Sequence, residues 1–282
     1  MQVDRALLGQ FSGQPAVHLS APDGASAVVL LHGAQVVSWR PADGGERLFL
    51  SERSRFGAGQ AVRGGVPVIF PQFNERGPLP RHGFVRARPW TVARAETGAD
   101  DALAVLQLTD DESTQALWPH RFALELTVCA RGERLDIELA VSNTGDDAFA
   151  FMAALHTYLR VAEVEAVRLS GLGGGRYEDF VTGSQLVDEA DAVRIEAETD
   201  RIYFGAPSPL ELADGPRRLR IEAANFPDVV VWNPWQDRCA AMTDLSPADF
   251  RRLLCVEAAL IGAPAELAAG EQWWGRQTLI AG

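Results

Sequence analysis

Strictly alternating apolar and polar residues dominate the middle of the chain. Two such runs lie between residues 122 and 141, separated by Arg131-Gly132-Glu133. Their apolar positions are Phe122, Leu124, Leu126 and Val128 in the first run, and Leu135, Ile137, Leu139 and Val141 in the second. A period of two with one apolar face is typical of a half-buried strand. The sequence therefore predicts an antiparallel hairpin here.

Shorter apolar runs recur along the rest of the chain, bounded by turns rich in glycine and proline. They fall at residues 27–31, 36–40, 102–108, 149–161, 229–232, 255–258 and 272–280. A convincing helix start is found only at Ser246-Pro247, where serine can cap and proline can occupy the first turn. Many short strands with few short helices predict an all-β sandwich. No linker or repeat divides the chain, so we expect residues 1–282 to form a single domain.

Residues 63–90 interrupt this pattern with an irregular, proline-braced segment that is unusually basic. Glu75 is the one acid there, against the arginines Arg63, Arg76, Arg81, Arg86 and Arg88. Arginine clusters bind anions through paired, charge-assisted hydrogen bonds. The segment is therefore either an anion-binding loop or a surface loop with solvated arginines, and composition alone leaves both interpretations open.

Composition narrows the possible functions. The formal net charge is −12 and the sequence pI is about 4.9, which argues against nucleic-acid binding. All 26 basic residues are arginine, so Schiff-base chemistry and a P-loop lysine are excluded. Three widely spaced cysteines and five histidines without metal-binding spacing predict neither a disulfide framework nor a metal site. The N-terminus shows no signal-peptide pattern and no apolar run is long enough to cross a membrane, so we expect a soluble cytoplasmic protein.

Two apolar runs contain a titratable residue. His156 lies in Leu155-His156-Thr157-Tyr158, where a hydrogen-bonded core histidine is the more common interpretation. Glu257 lies in Cys255-Val256-Glu257-Ala258, and a carboxylate inside an apolar strand is costly unless it is paired or used. Asp200 reads as a turn residue. Trp232 reads as core packing or as a platform on which a sugar could stack.

Taken together, these segments carry a resemblance. Arg63-Gly64-Gly65-Val66-Pro67, Phe70-Pro71 and Leu79-Pro80-Arg81-His82-Gly83-Phe84-Val85-Arg86 resemble the signature of the hexose-6-phosphate mutarotases, within the aldose 1-epimerase superfamily. The resemblance continues through residues 155–158, 199–203, 231–235 and 255–257, in the family's order. It covers roughly residues 25–275 and implies a large antiparallel β-supersandwich of the galactose mutarotase type.

The resemblance also implies roles for individual residues. His156 matches the family's general acid and Glu257 its general base. Among substrate-binding positions, Arg63 and Arg86 match arginines that contact the substrate, His82 a histidine facing the sugar, and Asp200 an acid contacting hydroxyl groups. Two positions depart from the pattern: Arg81, which we still expect to bind the substrate, stands where some relatives have Gln, and Asn74 stands where Gly is usual.

The implied reaction is the interconversion of the α and β anomers of a hexose 6-phosphate, with glucose 6-phosphate as the expected substrate. It needs a base on the anomeric hydroxyl and an acid on the ring oxygen, with no cofactor and no metal. We expect Glu257 as carboxylate and His156 as imidazolium, the latter favoured by a nearby phosphate dianion. We expect no nucleic-acid or membrane partner, and a monomer. The alternatives are a non-catalytic sugar-phosphate-binding protein on the same fold, a mutarotase for unphosphorylated aldoses, and a purely structural sandwich.

Overall fold

The computed structural model describes residues 3–42, 44–57 and 59–282, which form an almost entirely antiparallel β-structure. The first half of the described chain contains β1 (Leu8–Phe11), β2 (Gln14–Ser20), β3 (Ser26–Leu30), β4 (Val36–Arg40), β5 (Val68–Ile69), β6 (Thr91–Thr97), β7 (Ala102–Thr109), β8 (Phe122–Arg131) and β9 (Arg134–Asn143). The second half contains β10 (Phe149–Leu155), β11 (Tyr158–Arg160), β12 (Arg168–Ser170), β13 (Arg176–Asp179), β14 (Ser184–Val187), β15 (Ala192–Val193), β16 (Thr199–Tyr203), β17 (Leu210–Asp214), β18 (Arg217–Ala224), β19 (Asp228–Asn233), β20 (Leu253–Leu267) and β21 (Gln272–Ala281).

The strands form three sheets. A four-stranded sheet has the order β1-β2-β3-β4, and a nine-stranded sheet has the order β15-β12-β17-β18-β21-β9-β8-β7-β6. An eight-stranded sheet has the order β14-β13-β16-β19-β20-β10-β5, with β11 also paired to β20. The two large sheets pack face to face over one buried apolar cluster that reaches from Val17 to Ala281. The predicted all-β sandwich is confirmed.

The predicted hairpin is confirmed as β8 and β9 of the nine-stranded sheet. The two strands pair in continuous register from Phe122–Asn143 to Arg131–Arg134, and the turn contains Gly132. Burial alternates residue by residue along both strands, with the apolar positions on the core side. The alternation of the sequence is therefore explained by one buried and one partly solvated face.

Helices are few and short, as predicted, but one start lies elsewhere. The α-helices are α1 (Glu112–Gln115) and α2 (Trp235–Ala241), and 3₁₀ turns lie at Arg5–Leu7, Val85–Ala87, Val164–Ala166 and Asp249–Arg251. The segment after Ser246 forms only the last of these turns. There Asp249 accepts a hydrogen bond from the Ser246 amide instead of Ser246 capping a helix. No helix within the described ranges is long and apolar enough to cross a bilayer.

The arginine-rich segment runs along the edge of the eight-stranded sheet and is held there by backbone contacts. Gln72 fastens it internally, donating to the carbonyls of Asn74 and Leu79 at 2.9 and 3.1 Å and accepting from the Leu79 amide. Gly83 has a φ of +70°, and a Cβ there would lie 1.9 Å from the Phe70 carbonyl oxygen. The segment is thus an ordered structure rather than a loose loop.

Replacing Gly83 with alanine tests how tightly this segment is held. We expect Gly83→Ala to destabilise folding by roughly 3 kcal/mol or more, because a left-handed backbone and a backbone clash combine. The matched control is Gly270→Ala. Its φ is similarly positive at +78° but nothing lies within 4 Å of the added Cβ, so about 1 kcal/mol should be lost. Urea unfolding measures both, and equal losses would contradict the packing argument.

Candidate active site

An open cavity lies where the arginine-rich segment meets the eight-stranded sheet, and its volume is about 650 Å³ when the solvent at its mouth is included. All eight residues that the sequence singled out line it: Arg63, Arg81, His82, Arg86, His156, Asp200, Trp232 and Glu257. The other lining residues are Phe73, Asn74, Tyr158, Val230, Arg238 and Met242. Segments up to about 190 residues apart in the chain, from Arg63 to Glu257, are therefore brought to one place.

Strand register places His156 opposite Glu257. β10 and β11 both run antiparallel to β20, with the partners Leu155–Ala258 and Tyr158–Cys255 on either side. The two intervening rungs set His156 against Glu257, and His156 Nδ1 lies 3.3 Å from Glu257 Oε1. Both side chains are buried, yet His156 Nδ1 and Glu257 Oε2 have no hydrogen-bond partner among the described residues. These two polar atoms are enclosed by the protein, and their hydrogen-bonding capacity is unused in the described chain.

Burial opposes charge on both members of this pair. It lowers the pKa of His156 well below its ordinary value, and the nearby charges of Arg86 and Arg63 act in the same direction. It also raises the pKa of Glu257 well above its ordinary value, reinforced by Asp200 and opposed by Arg86. The protein surroundings of the pair therefore favour a neutral imidazole beside a protonated carboxyl group, not the ion pair expected from the sequence.

Tyr158 connects the histidine to a fixed guanidinium group. Its ring stacks on His156 with centroids 4.7 Å apart and planes 9° apart. Its hydroxyl accepts a hydrogen bond of 2.9 Å from Arg63 Nη1, and Arg63 Nε donates to Asp244 Oδ2 at 3.0 Å. Burial alone would lower the pKa of Arg63, but its contacts with Tyr158 and Asp244 outweigh burial and raise it. Arg63 is therefore charged, rigid and already paired.

His82 is held as a neutral ring on the cavity wall. Its φ is +65°, and its Nδ1 accepts the Asn74 amide at 3.2 Å, which leaves the proton on Nε2. Burial, with the charges of Arg86, Arg81 and Arg63, lowers the pKa of His82 to about 2. The ring therefore offers an N–H donor, not a charge, to whatever occupies the cavity.

The four arginines that line the cavity differ in whether an acid partner neutralises them. Arg63 is paired with Asp244, and Arg238 Nη1 donates to Glu198. Arg86 Nη2 donates only to a backbone carbonyl, that of Arg81, at 3.0 Å. The guanidinium group of Arg81 makes neither a hydrogen bond nor an ion pair with any residue that the structure describes. Two guanidinium groups therefore lack an acid partner in the described chain.

Asp200 and Trp232 form the opposite wall, on the neighbouring strands β16 and β19, where they are direct cross-strand partners. Burial raises the pKa of Asp200 to about 6, against the charges of Arg238 and Arg81. The Trp232 ring stands edge-on to His156, with centroids 6.2 Å apart and planes 79° apart. Asn233, fully buried, fixes the end of this strand by donating to the carbonyls of Phe250 and Leu253.

One group of side chains has metal-like spacing. Donor atoms of His156, Cys255 and Glu257 lie within 4.8 Å of one another. Burial, and the proximity of Glu257, raise the pKa of the Cys255 thiol well above its ordinary value, so the sulfur stays protonated. The surrounding arginine charges also repel a cation. The chemistry of this donor set favours an anionic ligand over a metal ion.

The family described as Aldose 1-epimerase matches residues 15–279. The chain belongs to the aldose 1-epimerase family. That membership places it among the epimerases, or mutarotases, which are isomerases that act on sugars.

Two curated relatives share the name "Putative glucose-6-phosphate 1-epimerase". The one from Cenchrus ciliaris is 36% identical over 282 residues, covering 96% of this chain and 85% of that protein. The one from Escherichia coli K12 is 35% identical over 236 residues, covering 81% of this chain and 78% of that protein. Both alignments span most of both chains.

Solved structures agree on the fold. The crystal structure of a "putative mutarotase" from Salmonella typhimurium superposes with a TM-score of 0.89 at 28% identity, covering 97% of this chain and 92% of that one. A galactose 1-epimerase from Lactobacillus acidophilus superposes with a TM-score of 0.74 at 16% identity, covering 97% and 96%. The second likeness bears on the fold alone.

Sequence reasoning did not single out Tyr158, Arg238 or Asp244. Tyr158 belongs to the motif Leu155-His156-Thr157-Tyr158, but nothing in the local sequence distinguishes a stacked tyrosine from a core one. Arg238 lies on α2, and Asp244 follows it on the loop that reaches Arg63. Both come from a segment whose helix the sequence did not predict.

The raised pKa of Asp200 predicts that its charge destabilises the fold. An acid with a raised pKa in the folded state binds its proton more tightly there, so its penalty is absent at about pH 4 and complete above about pH 6. Asp200→Asn should therefore stabilise the protein at pH 7.5 by about 1–2 kcal/mol, allowing for the solvent that reaches this carboxylate. Urea unfolding at pH 4.5 is the internal control, because the gain should shrink there. A gain independent of pH would contradict the assignment.

Proposed function

We propose that this chain interconverts the α and β anomers of a hexose 6-phosphate, with glucose 6-phosphate as substrate. One observation carries the proposal: a buried imidazole and a buried carboxyl group, 3.3 Å apart, line a cavity that also contains guanidinium groups without acid partners. The imidazole and the carboxyl group supply acid–base chemistry, and the guanidinium groups of Arg81 and Arg86 supply an anion site. The names of the two curated relatives support the same substrate.

The reaction is two proton transfers around one bond rotation. Glu257 takes the proton of the anomeric hydroxyl, the bond from C1 to the ring oxygen breaks, and His156 protonates that oxygen. The open-chain aldehyde rotates about C1–C2, and the same transfers run in reverse on the other face of the carbonyl. Each correctly placed group contributes roughly 10²–10⁴-fold to the rate.

Throughout this cycle the pair holds a single proton. It starts as imidazolium and carboxylate, and in the open-chain state it is neutral imidazole and carboxyl group. The neutral form, which burial favours, has that proton where the open-chain state has it, on the carboxyl group. A bound phosphate dianion offsets the arginine charges that lower the pKa of His156, and so favours the imidazolium that ring opening needs.

Arg81 and Arg86 are the proposed phosphate ligands, because no acid competes for them among the described residues. Arg63, held by Asp244 and Tyr158, is better suited to fixing the stacked Tyr158 ring and to contacting the sugar. His82 Nε2–H and the Asp200 carboxylate face the cavity as donor and acceptor for hydroxyl groups. Trp232 supplies an apolar wall.

The remaining expectations are also proposals. We propose that residues 1–282 act as a single domain, which the apolar cluster shared by all parts of the described chain supports. We propose that the protein works as a monomer in the cytoplasm, without a cofactor, since the two proton transfers use only side chains that line the cavity.

The Glu257→Gln variant tests the catalytic pair. The amide keeps the shape but cannot accept the anomeric proton, so exchange between anomers should fall by at least about 100-fold while sugar-phosphate binding persists. Saturation-transfer NMR measures exchange, and titration calorimetry measures binding. Glu266→Gln, an exposed position on the same strand, is the matched control and should behave as wild type. Full activity in Glu257→Gln would remove this residue from the mechanism. A wild-type protein that binds without exchanging anomers would indicate a binding protein instead.

Phosphate selectivity is the second test. The wild type should turn over glucose 6-phosphate far faster than glucose, and Arg81→Gln should lower kcat/KM for the phosphate ester by about 10- to 100-fold, the value of one charge-assisted contact. Its effect on free glucose should be small. Arg76→Gln is the matched control in the same segment, because Arg76 pairs with Glu178 and does not line the cavity. Comparable wild-type rates on both sugars would instead favour a mutarotase for unphosphorylated aldoses.

A further inference from the structure

One polar side chain breaks the apolar face that β21 turns toward the core. Positions 275, 277, 279 and 281 of this strand are buried, and the last two are Leu279 and Ala281. Position 277 is glutamine, only 1% exposed, between the two large sheets. A buried amide is costly unless its donors and acceptor are used, so Gln277 needs an explanation.

Both ends of the Gln277 amide are hydrogen-bonded to the opposite sheet. Its Oε1 accepts from the hydroxyl of Thr157, which is fully buried. Its Nε2 donates to the backbone carbonyl of Val256 at 3.0 Å. The residues it contacts are the immediate neighbours of His156 and Glu257 in the chain.

Those two contacts belong to a single rung of the sheet. Thr157 lies opposite Val256, and the Val256 amide donates to the Thr157 carbonyl at 3.1 Å. The preceding rung is His156 opposite Glu257, whose side chains face the cavity. Successive side chains point to opposite faces of the sheet. Gln277 therefore bonds to the Thr157–Val256 rung from the core side, and the neighbouring rung carries the acid and the base.

The Gln277 hydrogen bonds lie where the strand pairing is irregular. Residues 156 and 157 belong to neither β10 nor β11, so the strand pairing is interrupted there. The Thr157 amide donates to the Leu155 carbonyl at 2.9 Å within its own segment, so it does not donate across to Val256. The Gln277 amide thus spans the two strands where their own pairing is weakest, and it bridges the two segments whose separation sets the acid–base distance.

We propose that Gln277 is a positioning residue that fixes the separation of His156 and Glu257 from the opposite sheet. The inference rests on the proposed function for its catalytic consequence, but the positioning itself can be measured without turnover. Proton transfer is sensitive to placement, and a displacement near 1 Å can lower a rate by about 100-fold. Gln277 does not touch the cavity, so its loss should leave substrate binding nearly intact.

The test compares two buried polar residues that are neighbours on β21. Gln277→Met keeps the volume and removes both hydrogen bonds; kcat for anomer exchange should fall about 10- to 100-fold with KM changed less than about threefold. Thr278→Val is the matched control. Thr278 is 2% exposed and bonds to Asp136 on the opposite face of the sheet, so stability should fall while kcat is kept. A folded Gln277→Met with kcat within about twofold of wild type would overturn the inference, as would equal losses of kcat in both variants.

A second pair of variants covers the case in which Gln277→Met does not fold. Thr157→Val removes the hydroxyl that donates a hydrogen bond to Gln277 Oε1, and it should lower kcat. Thr157→Ser retains the hydroxyl and should keep most of the wild-type rate. If valine and serine give the same rate, the bridge does not position the pair.

Imidazole NMR separates this inference from the proposed function. The His156 ¹⁵N signals of the substrate-free protein, assigned with His156→Gln, should shift in Gln277→Met and Thr157→Val but not in Thr278→Val. Unshifted signals would overturn the inference whatever the activity. If the wild type exchanges no anomers while Gln277→Met and Thr157→Val still show the shifts, the proposed function is refuted and the positioning role stands.

Discussion

The antiparallel register between β10–β11 and β20 is the constraint on which the rest of the site depends. It brings together two residues that are 101 positions apart and would otherwise have no reason to meet. A slip of one residue in either segment would turn its own member of the pair, His156 or Glu257, into the core and expose Thr157 or Val256 in its place. The apolar residues on the core side resist that slip, so ordinary packing also sets the chemistry.

Charge is arranged against the trend of the whole chain. The protein carries a net charge of −12, yet four arginines line one cavity. Two of them are neutralised by Asp244 and Glu198, and two are not. Burial, and after it the nearby arginine charges, lower the pKa of His156, so the site by itself resists holding the charges that catalysis requires. An anionic ligand relieves that resistance, which links recognition of the substrate to readiness for proton transfer.

Much of the fold followed from the sequence because alternation reports directly on a sheet with one buried face, as in β8 and β9. α2 was missed because it begins at Trp235, with a φ of +55° and no side-chain cap, so no local signal marks its start. Which arginines are free could not be predicted either. Asp244 lies 181 residues from Arg63, and Glu198 lies 40 residues from Arg238, so tertiary structure alone pairs them. The resemblance to the mutarotases supplied the roles of the site residues. Composition and periodicity supplied the arginine-rich segment as a possible anion-binding loop and Glu257 as an unexplained carboxylate in an apolar strand.

The partners of a lone polar residue in a core strand likewise cannot be predicted from the sequence. Gln277 reads as an interruption of an apolar pattern, and nothing nearby shows that its partners lie 120 and 21 residues away. The same reasoning explains why the acid and base are supported from behind. His156 Nδ1 and Glu257 Oε2 have no hydrogen-bond partner in the described chain, so hydrogen bonds at these atoms do not hold the pair in place. Their placement must therefore come from the backbone, and the backbone is held most firmly from the face that the substrate never reaches.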